Sequence, residues 1–131
     1  MIQSLALAVV LALSALPLAG ITPEELVQKQ VDAYNAHNLD AFVACYGPDI
    51  EFRTLDGNVG PEKGTAALRK GYADLFKRFP ELKVKILKRI GQGTFVIDQQ
   101  QAEGMGPNPI TVTAIYETSL GKIIRVWFIE G

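Results

Sequence analysis

The sequence predicts an α+β domain in which helices cover one face of a curved antiparallel sheet. Three observations lead there. Apolar residues recur at helical spacing through the first half of the chain. They alternate with period two through the second half, and the strand-like runs of that half are joined by turns too short for a crossover. At 131 residues the chain makes one domain, long enough to bury a core without metals or disulfides.

The first element stands apart. MIQSLALAVVLALSALPLAG is uncharged, almost wholly apolar and ends in small residues after Pro17. It has the form of a secretory signal cleaved near Ala19 or Gly20, which places the domain outside the cytoplasm, in the periplasm or the medium. A retained membrane anchor is the alternative, because about 20 apolar residues suffice to span a bilayer. Residues 1–20 are therefore excluded from the fold and 21–131 form the domain.

Thr22-Pro23-Glu24-Glu25 opens a first helix with a capping box and a proline at the first helical position. Leu26, Val27, Val31 and Tyr34 share its apolar side, and Gln30 falls on that side too, where a polar group needs a hydrogen bond or a ligand. Asn38 caps a second, short helix bearing Leu39, Phe42, Val43 and Tyr46, which Gly47-Pro48 closes. Ile50, Phe52 and Thr54 then lie on one face of a strand beginning at Asp49. Asp56-Gly57-Asn58 predicts a turn, and Gly60-Pro61-Glu62 opens a third helix with Leu68, Tyr72, Leu75, Phe76 and Phe79 inward. Four strands follow at Leu82–Ile90, Thr94–Glu103, Ile110–Ser119 and Lys122–Ile129. Their connections are Gly91-Gln92-Gly93, the loop GMGPNP and Leu120-Gly121.

Composition removes several functions. Thirteen Lys and Arg oppose fourteen Asp and Glu, a balance without the positive field that nucleic acid requires. Six of the basic residues lie in FKRFPELKVKILKR, where Lys83 and Lys85 alternate with Leu82, Val84 and Ile86 as the solvated face of a strand. The single Cys45 closes no intrachain disulfide and fits a small buried hydrophobe. One histidine and one cysteine offer no metal set, GQGTFV is a hairpin turn instead of a dinucleotide loop, and no G-x-S-x-G nucleophile elbow occurs. No cofactor or metal is expected. His37, at the joint of the first two helices, is expected to satisfy helix-end carbonyls.

Asp98 is the exceptional charge. It interrupts FVI in mid-strand, where an aspartate is disfavoured unless paired or at an edge. Arg53, Arg125, Glu117 and Glu130 fit cross-strand pairing on a solvated face. Trp127 suits a pocket wall or an interface equally.

The stretches YNAHNLDAFVACYGPDIEF, LFKRFPEL, VID at 96–98 and AIYETSLGKIIRVWF, in this order and spacing, resemble the nuclear transport factor 2-like superfamily. Within it they are most similar to the SnoaL-like branch, itself related to ketosteroid isomerases. The resemblance implies a cone-shaped curved antiparallel sheet wrapped around three N-terminal helices, a mostly apolar pocket at its open end, and a homodimer through the outer sheet face. An isomerase of this kind would need a carboxylate base, a tyrosine and a protonated carboxylic acid, and the matching positions are Thr54, Gln30 and Thr113. None supplies that chemistry. In related strands the VID run continues to a His-Glu pair, whereas here it reads VIDQQ. The implied function is binding of a small apolar or amphipathic molecule. Tyr34, Phe52, Tyr72 and Trp127 would form the walls, while Gln30, Thr54, Gln100 and Thr113 would orient a polar end. An enzyme with a relocated base is the alternative, with Asp98 as its catalytic residue.

Overall fold

In the computed structural model, which describes residues 20–55 and 63–130, a reciprocal capping box starts the first helix. The Glu25 amide donates to Thr22 Oγ1, and the Thr22 amide donates to the Glu25 carboxylate. Helix α1 (Pro23–Asn35) buries Leu26, Val27, Gln30, Val31 and Ala33. It ends in a Schellman arrangement: the amides of Asn38 and His37 donate to the carbonyls of Ala33 and Tyr34. His37 occupies the left-handed position at φ 54° that glycine usually takes. Two contacts offset that strain. Its Nε2 donates to the Leu82 carbonyl at 2.6 Å, and its ring stacks on Phe76 with centroids 4.4 Å apart. Asn35 adds paired bonds to the backbone of Val84. The histidine is thus a clasp between the end of α1 and the start of β2.

Asn38 caps α2 (Leu39–Val43) by accepting the Ala41 amide. The helix is shorter than its sequence spacing predicts, and Tyr46 opens β1 (Tyr46–Arg53) instead of closing the helix. Sheet pairing decides this. Tyr46 lies in register with Ile123, whose amide donates to the Cys45 carbonyl. Helix α3 (Thr65–Arg78) follows Gly64, which has φ 94°, and carries Lys77 and Arg78 in its last turn, where the dipole favours cations. Residues 1–19 of the expected signal segment 1–20, the expected turn at 56–58 and the expected helix opening at 60–62 lie outside the described residues.

Strands β2 (Lys83–Gln92), β3 (Phe95–Glu103), β4 (Ile110–Ser119) and β5 (Lys122–Glu130) form an antiparallel meander, and β1 adds to β5 in parallel. The order is β1-β5-β4-β3-β2. The helices pack on one face, where Val27, Phe42, Ile50, Val96, Ala114, Ile123 and Val126 build the core.

One irregularity in β2 places Arg89 beside Asp98. Up to Ile86 the strand alternates as the sequence predicts, with Lys83 and Lys85 exposed. At Leu87 the register slips by one residue, so that Lys88 pairs with Gln99 and Arg89 with Asp98. A strict period of two would turn Arg89 outward; the bulge turns it to the helix side. Ile90, which period two would bury, is exposed instead.

On the outer face Arg125 pairs with Glu117 at 2.6 Å and Arg53 with Glu51 at 2.9 Å. Beside them lies an apolar area in which Phe95 meets Trp127 at 6.4 Å.

Candidate functional site

A cavity of about 240 Å³ opens between the helices and the helix-facing side of the sheet. Its position follows from parity. Gln100 and Ala102 of β3, Val112 and Tyr116 of β4, and Phe128 and Glu130 of β5 all point to the helix side. From the helices come Gln30 and Tyr34 of α1 and Tyr72 and Leu75 of α3, while Val84, Tyr46 and Met105 complete the wall. Gly104, just before Met105, has φ 97° and sits so close to the Glu81 backbone that a Cβ would collide with it. Only glycine brings the β3–β4 loop this near to the start of β2.

All four tyrosines of the chain line this cavity. Burial pushes the Tyr34 phenol up to about 12, those of Tyr72 and Tyr116 higher still, and that of Tyr46 well above its ordinary value. For Tyr116 the nearby Asp98 charge pushes the same way, and a hydrogen bond with Gln100 opposes it. The rings are therefore neutral phenols that can donate hydrogen bonds and present π-faces, and they cannot act as bases at ordinary pH.

Gln30 is the notable polar member. It is 5% exposed, and its Oε1 has no hydrogen-bond partner. A buried acceptor left unmatched costs free energy, so a group bound in the cavity that offers a donor would recover it. Among the described residues that line the cavity, the only ionisable group besides the phenols is the Glu130 carboxylate, and none is Lys, Arg or His.

Asp98 faces the helix side but is not part of this wall. It is fully buried, and Arg89 holds it from two directions: Nε to Oδ1 at 2.7 Å and Nη2 to Oδ2 at 2.9 Å. Arg89 reaches on to Gln28 of α1 at 2.8 Å, and the bond to Asp98 raises the guanidinium pKa. Both carboxylate oxygens are thus committed to an ion pair that joins β2, β3 and α1. The arrangement suits a structural anchor better than a proton carrier.

Of the residues singled out in the sequence, Gln30, Tyr34, Tyr72 and Gln100 meet at the cavity. Phe52 stands one layer behind, stacked on Phe128 with centroids 5.7 Å apart and planes 5° from parallel. Thr54 is exposed at the end of β1. Thr113 and Trp127 must be reassigned. Their neighbours Ala114 and Phe128 face the helices, so the pleat turns Thr113 and Trp127 to the outer face. The same parity explains what the sequence analysis missed. Phe128 and Glu130 share a face with buried Val126, and Tyr116 shares one with Ala114. Glu130, expected in a cross-strand ion pair, lies instead at the cavity.

Among the described residues, no group of His, Cys, Asp and Glu is arranged to hold a metal ion, and no helix is long and apolar enough to cross a membrane.

Comparison with known proteins places this geometry in context. The SnoaL-like domain profile matches residues 27–126. A search of curated proteins finds no match. Among solved structures, an uncharacterised cystatin-fold protein from Novosphingobium aromaticivorans is 27% identical, with a TM-score of 0.77 over 85% of this chain and 100% of that one. A nuclear transport factor 2-like protein of unknown function from Cytophaga hutchinsonii is 18% identical, with a TM-score of 0.70 over 86% and 92% of the two chains. A candidate polyketide cyclase from Sinorhizobium meliloti is 20% identical, with a TM-score of 0.68 over 79% and 93%.

Proposed function

The chain belongs to the SnoaL-like domain family, and from that premise we propose that it is an exported domain that binds a small apolar or amphipathic molecule in its cavity. The observation that carries this is the unmatched Gln30 Oε1 set in a wall of neutral aromatic and aliphatic groups. That wall offers hydrophobic burial and hydrogen bonds but no committed acid–base pair. The cavity volume also bounds the ligand. At about 240 Å³ it lies below the roughly 300–1,000 Å³ of drug-sized sites, so one or two rings fit better than a four-ring steroid. Export rests on the uncharged apolar segment at 1–20. The apolar outer face around Phe95, Ile97, Ile115 and Trp127 supports self-association as a homodimer.

Native mass spectrometry of the full-length gene product, recovered from an exporting bacterial host, tests all three. The expected species is a dimer beginning near Gly20 or Ile21 that retains a small lipophile, which Gln30→Leu would release. A monomer with Met1 intact, and an empty cavity that takes up no added apolar probe, would overturn the proposal.

A further inference from the structure

The ligand-binding reading leaves the ligand's charge open, and the cavity's own groups narrow it. We infer that the cavity selects a small organic ammonium: a hydrocarbon of one or two rings bearing a protonated amine. This inference rests on the binding function proposed above.

Four features converge on it. The first is electrostatic: among the described residues, Glu130 is the only carboxylate on the wall, and no cationic side chain accompanies it. Arg89, which also faces the helix side, is spent on Asp98 and Gln28. An anionic ligand would therefore be desolvated without a cationic partner and beside a like charge, which disfavours it. The second is the aromatic wall. Tyr34, Tyr72 and Phe128 line one space, with Tyr34 and Tyr72 edge-to-face at 6.1 Å. Aromatic rings attract a cation set over a face, and more strongly when water is excluded. The third is Gln30 Oε1, a buried acceptor that lacks a donor, which an ammonium N–H supplies and a carboxylate does not. The fourth is register. Glu130, Val112 and Gln100 lie in one rung across β5, β4 and β3, so the backbones that carry carboxylate and amide stand about 10 Å apart across two strand spacings. An alkylamine can lie along that rung with its hydrocarbon on Val112.

The test uses isothermal titration calorimetry with three probes that share one hydrocarbon: 4-phenylbutylamine, 4-phenylbutan-1-ol and 4-phenylbutanoate. The full domain is titrated as wild type, Glu130→Gln and Gln30→Leu. For wild type the amine is expected to bind about tenfold tighter than the alcohol, and the carboxylate weakest. Glu130→Gln should erase the amine's advantage, so that amine and alcohol bind alike. Gln30→Leu should weaken amine and alcohol together. If the alcohol matches the amine, or the carboxylate binds best, the ammonium inference is overturned while ligand binding stands. If none of the three binds, both the inference and the proposed function fail, since all three carry the hydrocarbon that the wall is built to bury.

Discussion

Removing the two members of the Arg89–Asp98 pair should have unequal costs, and the inequality is set by burial. The Asp98 side chain is fully buried, whereas that of Arg89 is 21% exposed. In Arg89→Met a carboxylate stays in the interior without its two donors at 2.7 and 2.9 Å. Stranding a buried charge costs about 3–5 kcal/mol, a large part of the roughly 5–15 kcal/mol that holds a domain together. In Asp98→Asn the guanidinium can still turn to water and the amide oxygen can still accept one N–H, so the cost is about 1–3 kcal/mol. Urea denaturation followed by circular dichroism measures both. Equal losses within about 0.5 kcal/mol, or a greater loss for Asp98→Asn, would refute the assignment of Asp98 as a buried anchor. Because Asp98 is not on the cavity wall, Asp98→Asn should leave ligand affinity within about threefold, a shift of less than 1 kcal/mol.

The remaining predictions address single features. Leu120 is fully exposed and held at φ 51° in the β4–β5 turn. Leu120→Asn should stabilise the fold by about 0.5–1 kcal/mol in the same denaturation experiment, since asparagine tolerates that conformation. Gly104→Ala should destabilise by about 2 kcal/mol or more, because its Cβ meets the Glu81 backbone at a positive φ, and it should weaken ligand binding by displacing Met105. In a spectrophotometric titration at 295 nm the folded protein should show almost no tyrosinate near pH 10.5, whereas urea-unfolded chain titrates near pH 10. The sign follows from the raised folded-state values. The phenols' contribution to stability is complete below about pH 10, the unfolded value, and declines as pH rises through about 12, where Tyr34 ionises.

Most of the fold was legible in the sequence because it rests on local signals. The capping box at Thr22 and Glu25, Asn38 as a cap, the meander and the edges of β4 all followed from short-range chemistry. Tyr46 was misplaced because an aromatic residue one turn beyond Phe42 satisfies helical spacing, while the parallel pairing with Ile123 that claims it is seventy-seven residues away. The site was harder. Gln30 stood out as a polar residue on an apolar face and Gln100 through the resemblance, and both line the cavity. Thr113 and Trp127 were assigned to the pocket through resemblance, and one step of strand parity moves them outside. The bulge at Leu87 carries no glycine or proline to announce it. Its cause is tertiary: buried Asp98 requires Arg89 on its own face, and an extra residue in β2 supplies that.

The central claim, that this cavity is the binding site, is tested most directly by filling it. Val112 lies on the cavity wall in the middle of the polar rung between Gln100 and Glu130, and tryptophan suits a strand. The measurement is calorimetric titration of Val112→Trp with 4-phenylbutylamine, beside wild type and with circular dichroism to verify the fold. The account predicts a folded variant whose binding is lost while wild type binds. A folded variant that binds as tightly as wild type would contradict it.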